Sequence, residues 1–192
     1  MNRVMVIGGP GGGKSTFAIE LAKLTGLPLY HSDCMISPFG TANEYRELIR
    51  RYDEIQIGQT WILDGIYHQP LKRAAFADTI IFIDLPRLLR FLRVLKRWVC
   101  CDKAGQTNRL VARATLRILW ELIHSARHDR RRWMRVIKHN SHRANVSILR
   151  SDSEKFAYLA ALYSSNDPLK TVNESAPWTI TASASHPNPS AS

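Results

Sequence analysis

Residues 8–16 read Gly-Gly-Pro-Gly-Gly-Gly-Lys-Ser-Thr, and residues 8–15 fit the spacing G-x-x-x-x-G-K-[ST]. The chemistry of that spacing is anion binding. Gly8, Gly9, Gly11, Gly12 and Gly13, with Pro10 among them, let backbone N–H groups converge on phosphate oxygens where larger side chains would block the approach. A helix starting near Lys14 would turn its positive dipole end toward the same point, and Thr16 falls in its first turn. Lys14 would neutralise the β- and γ-phosphates of a nucleotide, and the Ser15 hydroxyl would ligate Mg²⁺.

Two carboxylates end apolar runs: Asp64 after Trp61-Ile62-Leu63, and Asp84 after Ile80-Ile81-Phe82-Ile83. Asp64 is the expected second metal anchor, because Gly65 behind it leaves room for a ligand, whereas Asp84 leads into Leu85-Pro86 and a helix. The other carboxylate would be a cap or turn residue. Asp33, just past the short run Leu29-Tyr30-His31, faces the place of an acceptor; it could take a proton from an acceptor hydroxyl, position it, or cap the next segment. His31 reads as structural.

Arginines supply the remaining candidates. Arg90, Arg93 and Arg97 share one face of the helix expected after Pro86, beside an apolar stripe of Leu88, Leu92, Leu95 and Val99 that would hold the helix to the body. Guanidinium groups there match phosphate oxygens and stabilise charge in phosphoryl transfer. Arg127, Arg130, Arg131 and Arg132 form a second group that a closing lid, about residues 98–140, could bring in to exclude water. Arg109, Arg113 and Arg117 look like an exposed stripe, with Glu121 placed to pair with Arg117.

These residues need a scaffold that gathers them. The pattern alternates: a strand over residues 3–7, a helix over 14–25 ended by Gly26 and Pro28, a strand at 29–31, a helix behind the capping box Thr41-Ala42-Asn43-Glu44 with Tyr45, Leu48, Ile49, Tyr52 and Ile55 on one stripe, and strands at 61–64 and 80–83. Long basic helices follow at 88–99, 109–123 and 130–139. A last strand over 145–149 leads to the capping box Ser151-Asp152-Ser153-Glu154 and a helix through Phe156, Leu159, Ala160 and Tyr163. The apolar runs do not alternate, which marks strands covered on both faces. The expected fold is therefore α/β, a doubly wound parallel sheet with right-handed crossovers and ligands at the carboxyl ends of its strands.

The chain has 192 residues, 45% of them apolar, and a formal charge of +11. That suits one domain over residues 1–165 and a disordered tail of Ser, Pro, Ala, Asn and Thr over 166–192. Without a run of eighteen apolar residues or a leader pattern before the first strand, no membrane span is expected, and three cysteines in neither disulfide nor zinc spacing fit the cytoplasm. Charge is uneven. Residues 86–150 hold 17 Lys and Arg against three acids, a net +14, and the rest carries −3. Such a stretch closes over a polyphosphate, binds a larger polyanion such as nucleic acid, or forms solvated helix faces.

Taken together, residues 1 to about 162 resemble the adenylate-kinase-related P-loop NTPases known as DNA topology modulation proteins, in the wider group of nucleoside monophosphate and shikimate kinases. The resemblance is carried by residues 8–16, Pro28-Leu29-Tyr30-His31-Ser32-Asp33, Trp61-Ile62-Leu63-Asp64-Gly65, the run from Ala77 to Arg87 containing Leu85-Pro86-Arg87, and Arg93-Val94-Leu95-Lys96-Arg97. It implies a five-stranded core with a small basic helical lid, ATP and Mg²⁺ as cofactors, and phosphoryl transfer to a small acceptor. Asp64 would be the metal-side carboxylate, Asp33 and Arg73 acceptor-side groups, and Arg93 and Arg97 lid arginines; from the second arginine group, Arg130 is the further catalytic candidate. The chain departs from the family at Cys34-Met35-Ile36-Ser37, where an aromatic-rich stretch is usual, and at Ile66, where Asn is usual. Both positions lie on the acceptor side. A nucleotide-regulated DNA-binding protein is the alternative expectation, motivated by the basic stretch.

Overall fold

The computed structural model describes residues 1–31, 42–65, 69–103 and 126–165. Five strands, β1 (Arg3–Gly8), β2 (Leu29–His31), β3 (Trp61–Asp64), β4 (Thr79–Ile83) and β5 (Asn145–Leu149), form one parallel sheet in the order β2-β3-β1-β4-β5. The helices are α1 (Lys14–Thr25), α2 (Ala42–Ile57), α3 (Pro70–Ala74), α4 (Arg87–Lys103), α5 (Ala126–Asn140) and α6 (Asp152–Ser165). The expected doubly wound sheet is present, with β2 and β5 at their expected bounds. Helix α3 was not expected, because five residues are too few to show a periodicity.

Sheet order dictates where the helices go. From β1 the chain moves outward to β2, and from there every crossover runs the opposite way, so right-handed connections put α1 on one face and α2, α3 and α5 on the other. The two cores follow that division. Leu48 and Tyr52 of α2, Ala74 of α3, and Trp133, Val136 and Ile137 of α5 bury Met5, Ile7, Trp61, Leu63, Ile80 and Phe82. Phe17, Ala18 and Leu21 of α1, with Tyr158, Leu159 and Leu162 of α6, cover Val4, Val6, Ile62, Ile81, Ile83 and Leu149. The connections out of β1 and its neighbour β4 part in opposite directions, and the crevice they open at the carboxyl edge is where such sheets bind ligands.

Three expectations are corrected. Leu88 and Leu92 of α4 do not hold that helix to the body; they are 70% and 50% exposed, while Arg90 and Val94 are buried. The surface beneath is the backbone of the glycine loop: a Cβ on Gly11 would lie 2.5 Å from the Arg90 carbonyl oxygen and 3.0 Å from Val94 Cγ2. Helix α6 keeps only Leu159 of its expected stripe packed inward; Phe156 and Tyr163 are exposed, and Tyr158 and Leu162 pack beside Leu159 instead. In the expected lid span, α5 places Trp133, Val136 and Ile137 in the core and so is body rather than lid from Trp133 onward. The expected helix over 109–123, with Arg109, Arg113, Arg117 and Glu121, lies outside the described residues, as do residues 166–192. Among the described residues no helix is long and apolar enough to cross a membrane.

Candidate active site

The glycine loop leaves β1 at the crevice and returns as α1. Gly13, at φ 77°, is the N-cap, and the first helical bond runs from the Phe17 amide to the Gly13 carbonyl at 3.0 Å. The amides ahead of Phe17 have no partner inside the helix, and the loop lies in front of them. Gly11, at φ 72°, needs glycine for its backbone as well as for its contact with α4. Lys14 is buried, and its Nζ donates to the Gly9 carbonyl at 3.3 Å, across the mouth of the loop. Ser15 and Thr16 are exposed in the first turn of α1.

Strand register aligns the carboxylates with this loop. Asp64 sits opposite Val6 on one side and His31 on the other, and Ile83, just before Asp84, sits opposite Gly8. Asp64 is 3% exposed, with Oδ2 3.0 Å from His31 Nδ1. That contact fixes the plane of the carboxylate, so His31 is structural as expected, but in support of a candidate site residue. Asp84 accepts from Arg130 Nε at 2.8 Å and thereby ties α5 to the sheet edge.

Arg90 is the deepest of the four arginines on α4. It is 7% exposed, its Nε meets no hydrogen-bond partner, and a Cβ on Gly9 would fall 1.7 Å from its Nη1. Burial lowers its pKa, and the charges of Asp84 and Asp129 pull the other way. Together with Gly9, Arg130 and Trp133 these groups line a small cleft beside the loop.

On the far side of the loop, Arg93 pairs with Asp152 of α6, and Asp152 Oδ1 also meets Lys155 Nζ at 2.5 Å. Lys155 Nζ is 3.5 Å from the Gly12 carbonyl oxygen, and a Cβ on Gly13 would lie 3.2 Å from that Nζ and 3.8 Å from Arg93 Nη1. The Lys155 hydrogen bond, with that of Arg93, holds the Asp152 carboxyl below its ordinary value against the opposing effect of burial. The expected capping box opens α6: the Glu154 amide donates to Ser151 Oγ at 3.1 Å, and the Glu154 carboxylate accepts from the Arg150 amide at 2.8 Å.

Of the remaining candidates, Arg97 is exposed further along α4, and Asp33 lies outside the described residues. Arg73 is buried on α3, 4.3 Å above the Tyr52 ring and 3.5 Å from Asp53. Burial lowers its pKa while Asp53 counteracts the shift. Lys155 and Asp152 were missed as site residues. One signal pointed to them: a lysine in the first turn of a helix opposes the helix dipole and is a poor local choice.

The residues present fit a nucleotide and its metal. The loop admits no Cβ at Gly9 or Gly11 without a clash with Arg90 or Val94, so its course beneath α4 requires glycine there. Ser15 and Asp64 offer hard oxygen donors of the kind Mg²⁺ takes. Among the described residues no three His, Cys, Asp or Glu side chains gather into a metal site. An ion held there would be completed by phosphate oxygens.

The fold recurs in solved structures. A deoxyadenosine kinase from M. mycoides, with products dCMP and a flexible dCDP bound, is similar at TM-score 0.50 and 12% identity, over 84% of this chain and 98% of that one. Shikimate kinase from Bacteroides thetaiotaomicron aligns at TM-score 0.49 and 12% identity over 85% and 96% of the two chains. The enzyme from Acinetobacter baumannii in complex with shikimate aligns at 0.46 and 14%, over 92% and 97%. No family model and no curated protein matches the chain. Sheet order, glycine loop and the first of these likenesses define an α/β P-loop NTPase fold of the kind that kinases use.

Proposed function

We propose that this chain is an ATP-dependent, Mg²⁺-requiring kinase acting on a small acceptor, a nucleoside, nucleotide or similar molecule. The observation that carries the reading is the glycine loop at the sheet's switch point, closed by Lys14 and set between two cationic flanks, with buried Asp64 one strand away. ATP would bring the phosphoryl group, and Mg²⁺ would offset its charge. The chain's own residues do the rest: the loop amides, Lys14, Ser15 and Thr16 bind phosphate, Ser15 and Asp64 hold the metal side, and His31 orients Asp64. Arg93, Arg97 and Arg130 are the cations available as charge spreads in transfer, which matters most where water is excluded. Asp33 and Arg73 belong to the acceptor side, where the chain departs most from the DNA topology modulation family that its motifs resemble.

The basic stretch is assigned to phosphate rather than to duplex DNA. Three of its described members, Arg90, Arg93 and Arg130, turn toward Gly9, Gly13 and Asp84 at the carboxyl edge. The test is phosphoryl transfer from MgATP to a panel of nucleosides, nucleotides and small hydroxyl acids, read by product mass. Lys14→Ala should reduce turnover by roughly 100-fold or more, as removal of a main stabilising cation does. Equal rates in the two proteins would overturn the reading, and tight, salt-sensitive duplex binding without transfer would favour the DNA-binding alternative.

A further inference from the structure

We propose that Lys155, in the first turn of α6, is a second phosphate-binding lysine of the cradle, held over Gly12 and Gly13 by Asp152. It would grip the polyphosphate of the donor from the side opposite Arg90. The inference rests on the reading of the loop as a nucleotide site and adds to it a residue 143 positions away in the chain.

Three observations converge on it. Lys155 Nζ stands 3.2 Å from where a Gly13 Cβ would be, at the mouth of α1, and its side chain is only 13% exposed. The ammonium is thus delivered to the cradle rather than left in solvent. Next, Arg93 and Lys155 share the one carboxylate of Asp152. Two cationic side chains thus meet one carboxylate in front of the N-terminal end of α1, the condition an anion relieves. Finally, a cation near this end of a helix opposes the dipole, and the i,i+3 pairing with Asp152 both offsets that cost and aims the ammonium at the loop.

The experiment measures binding of ATP, AMP and inorganic pyrophosphate to the wild-type chain, Lys155→Met and Lys155→Arg by calorimetry, with thermal unfolding in parallel. Loss of one charge-assisted contact should weaken ATP and pyrophosphate about tenfold or more in Lys155→Met. AMP binding should change much less, melting should be preserved, and Lys155→Arg should recover most of the loss. Pyrophosphate separates this inference from the kinase reading. Should the wild type bind pyrophosphate but transfer no phosphoryl group, the kinase reading fails while a weakened Lys155→Met still supports the lysine. Lys155→Met binding ATP and pyrophosphate as the wild type does would overturn the proposal, as would a wild type that binds neither, or an equal loss for AMP.

Discussion

The two flanks of the glycine loop are built on opposite principles. On the Gly9 side, Arg90 is buried against backbone, and the carboxylates of Asp84 and Asp129 balance its charge. On the Gly13 side, Arg93 and Lys155 lean on one half-exposed carboxylate, and charge is left over. The first flank is a wall that shapes the loop. The second is a surface that receives a ligand. The lesson is that proximity to a phosphate cradle does not by itself make an arginine a phosphate contact; burial and the local charge balance decide.

That contrast can be broken at its strongest point first. Gly11→Ala forces a side chain into a left-handed backbone and within 2.5 Å of the Arg90 carbonyl, which cannot swing aside. Strain and overlap together should lower stability by about 3 kcal/mol, measured by urea unfolding. Gly9→Ala meets only the tip of Arg90, so its cost should be smaller, about 1 kcal/mol, and should vanish in an Arg90→Ala background. A cost unchanged by Arg90→Ala would mean that this flank is not a packed wall. The smallest effect belongs to the other flank. Asp152 is held below its usual value of 3.8, so its contribution to stability is complete above that value and is lost as pH falls through the depressed one. Asp152→Asn should flatten that part of the acid dependence of melting. An acid limb identical to the wild type's would show the pair to be energetically idle.

Much of the scaffold was legible because it rests on local signals. The loop spacing, the unalternating strands and the Gly26 stop of α1, whose amide donates to Ala22 at 2.8 Å, each announce themselves within a few residues. The place of Asp64 was legible too, since the apolar run before it marks the end of a buried strand. The rotation of α4 was not. Its sequence carries an apolar stripe and an arginine stripe side by side, and which one faces inward depends on the surface it meets. That surface, the backbone of a distant loop, takes Arg90 and Val94 and leaves Leu88 and Leu92 outside. Lys155 was hidden for a related reason: Gly12, and the Arg93 that shares Asp152 with it, are brought to it by the fold of the whole sheet, and no spacing within α6 encodes them.

The contact between Lys155 and Gly12 also orders events in time. The ribosome releases the loop first and its distant lysine 143 residues later. At synthesis rates of about 5–20 residues per second, the interval is on the order of ten seconds. Through that interval the nascent chain carries the phosphate loop without the lysine that would cover it. Full grip on a nucleotide would thus be acquired only when α6 docks, so that binding reports the completion of folding.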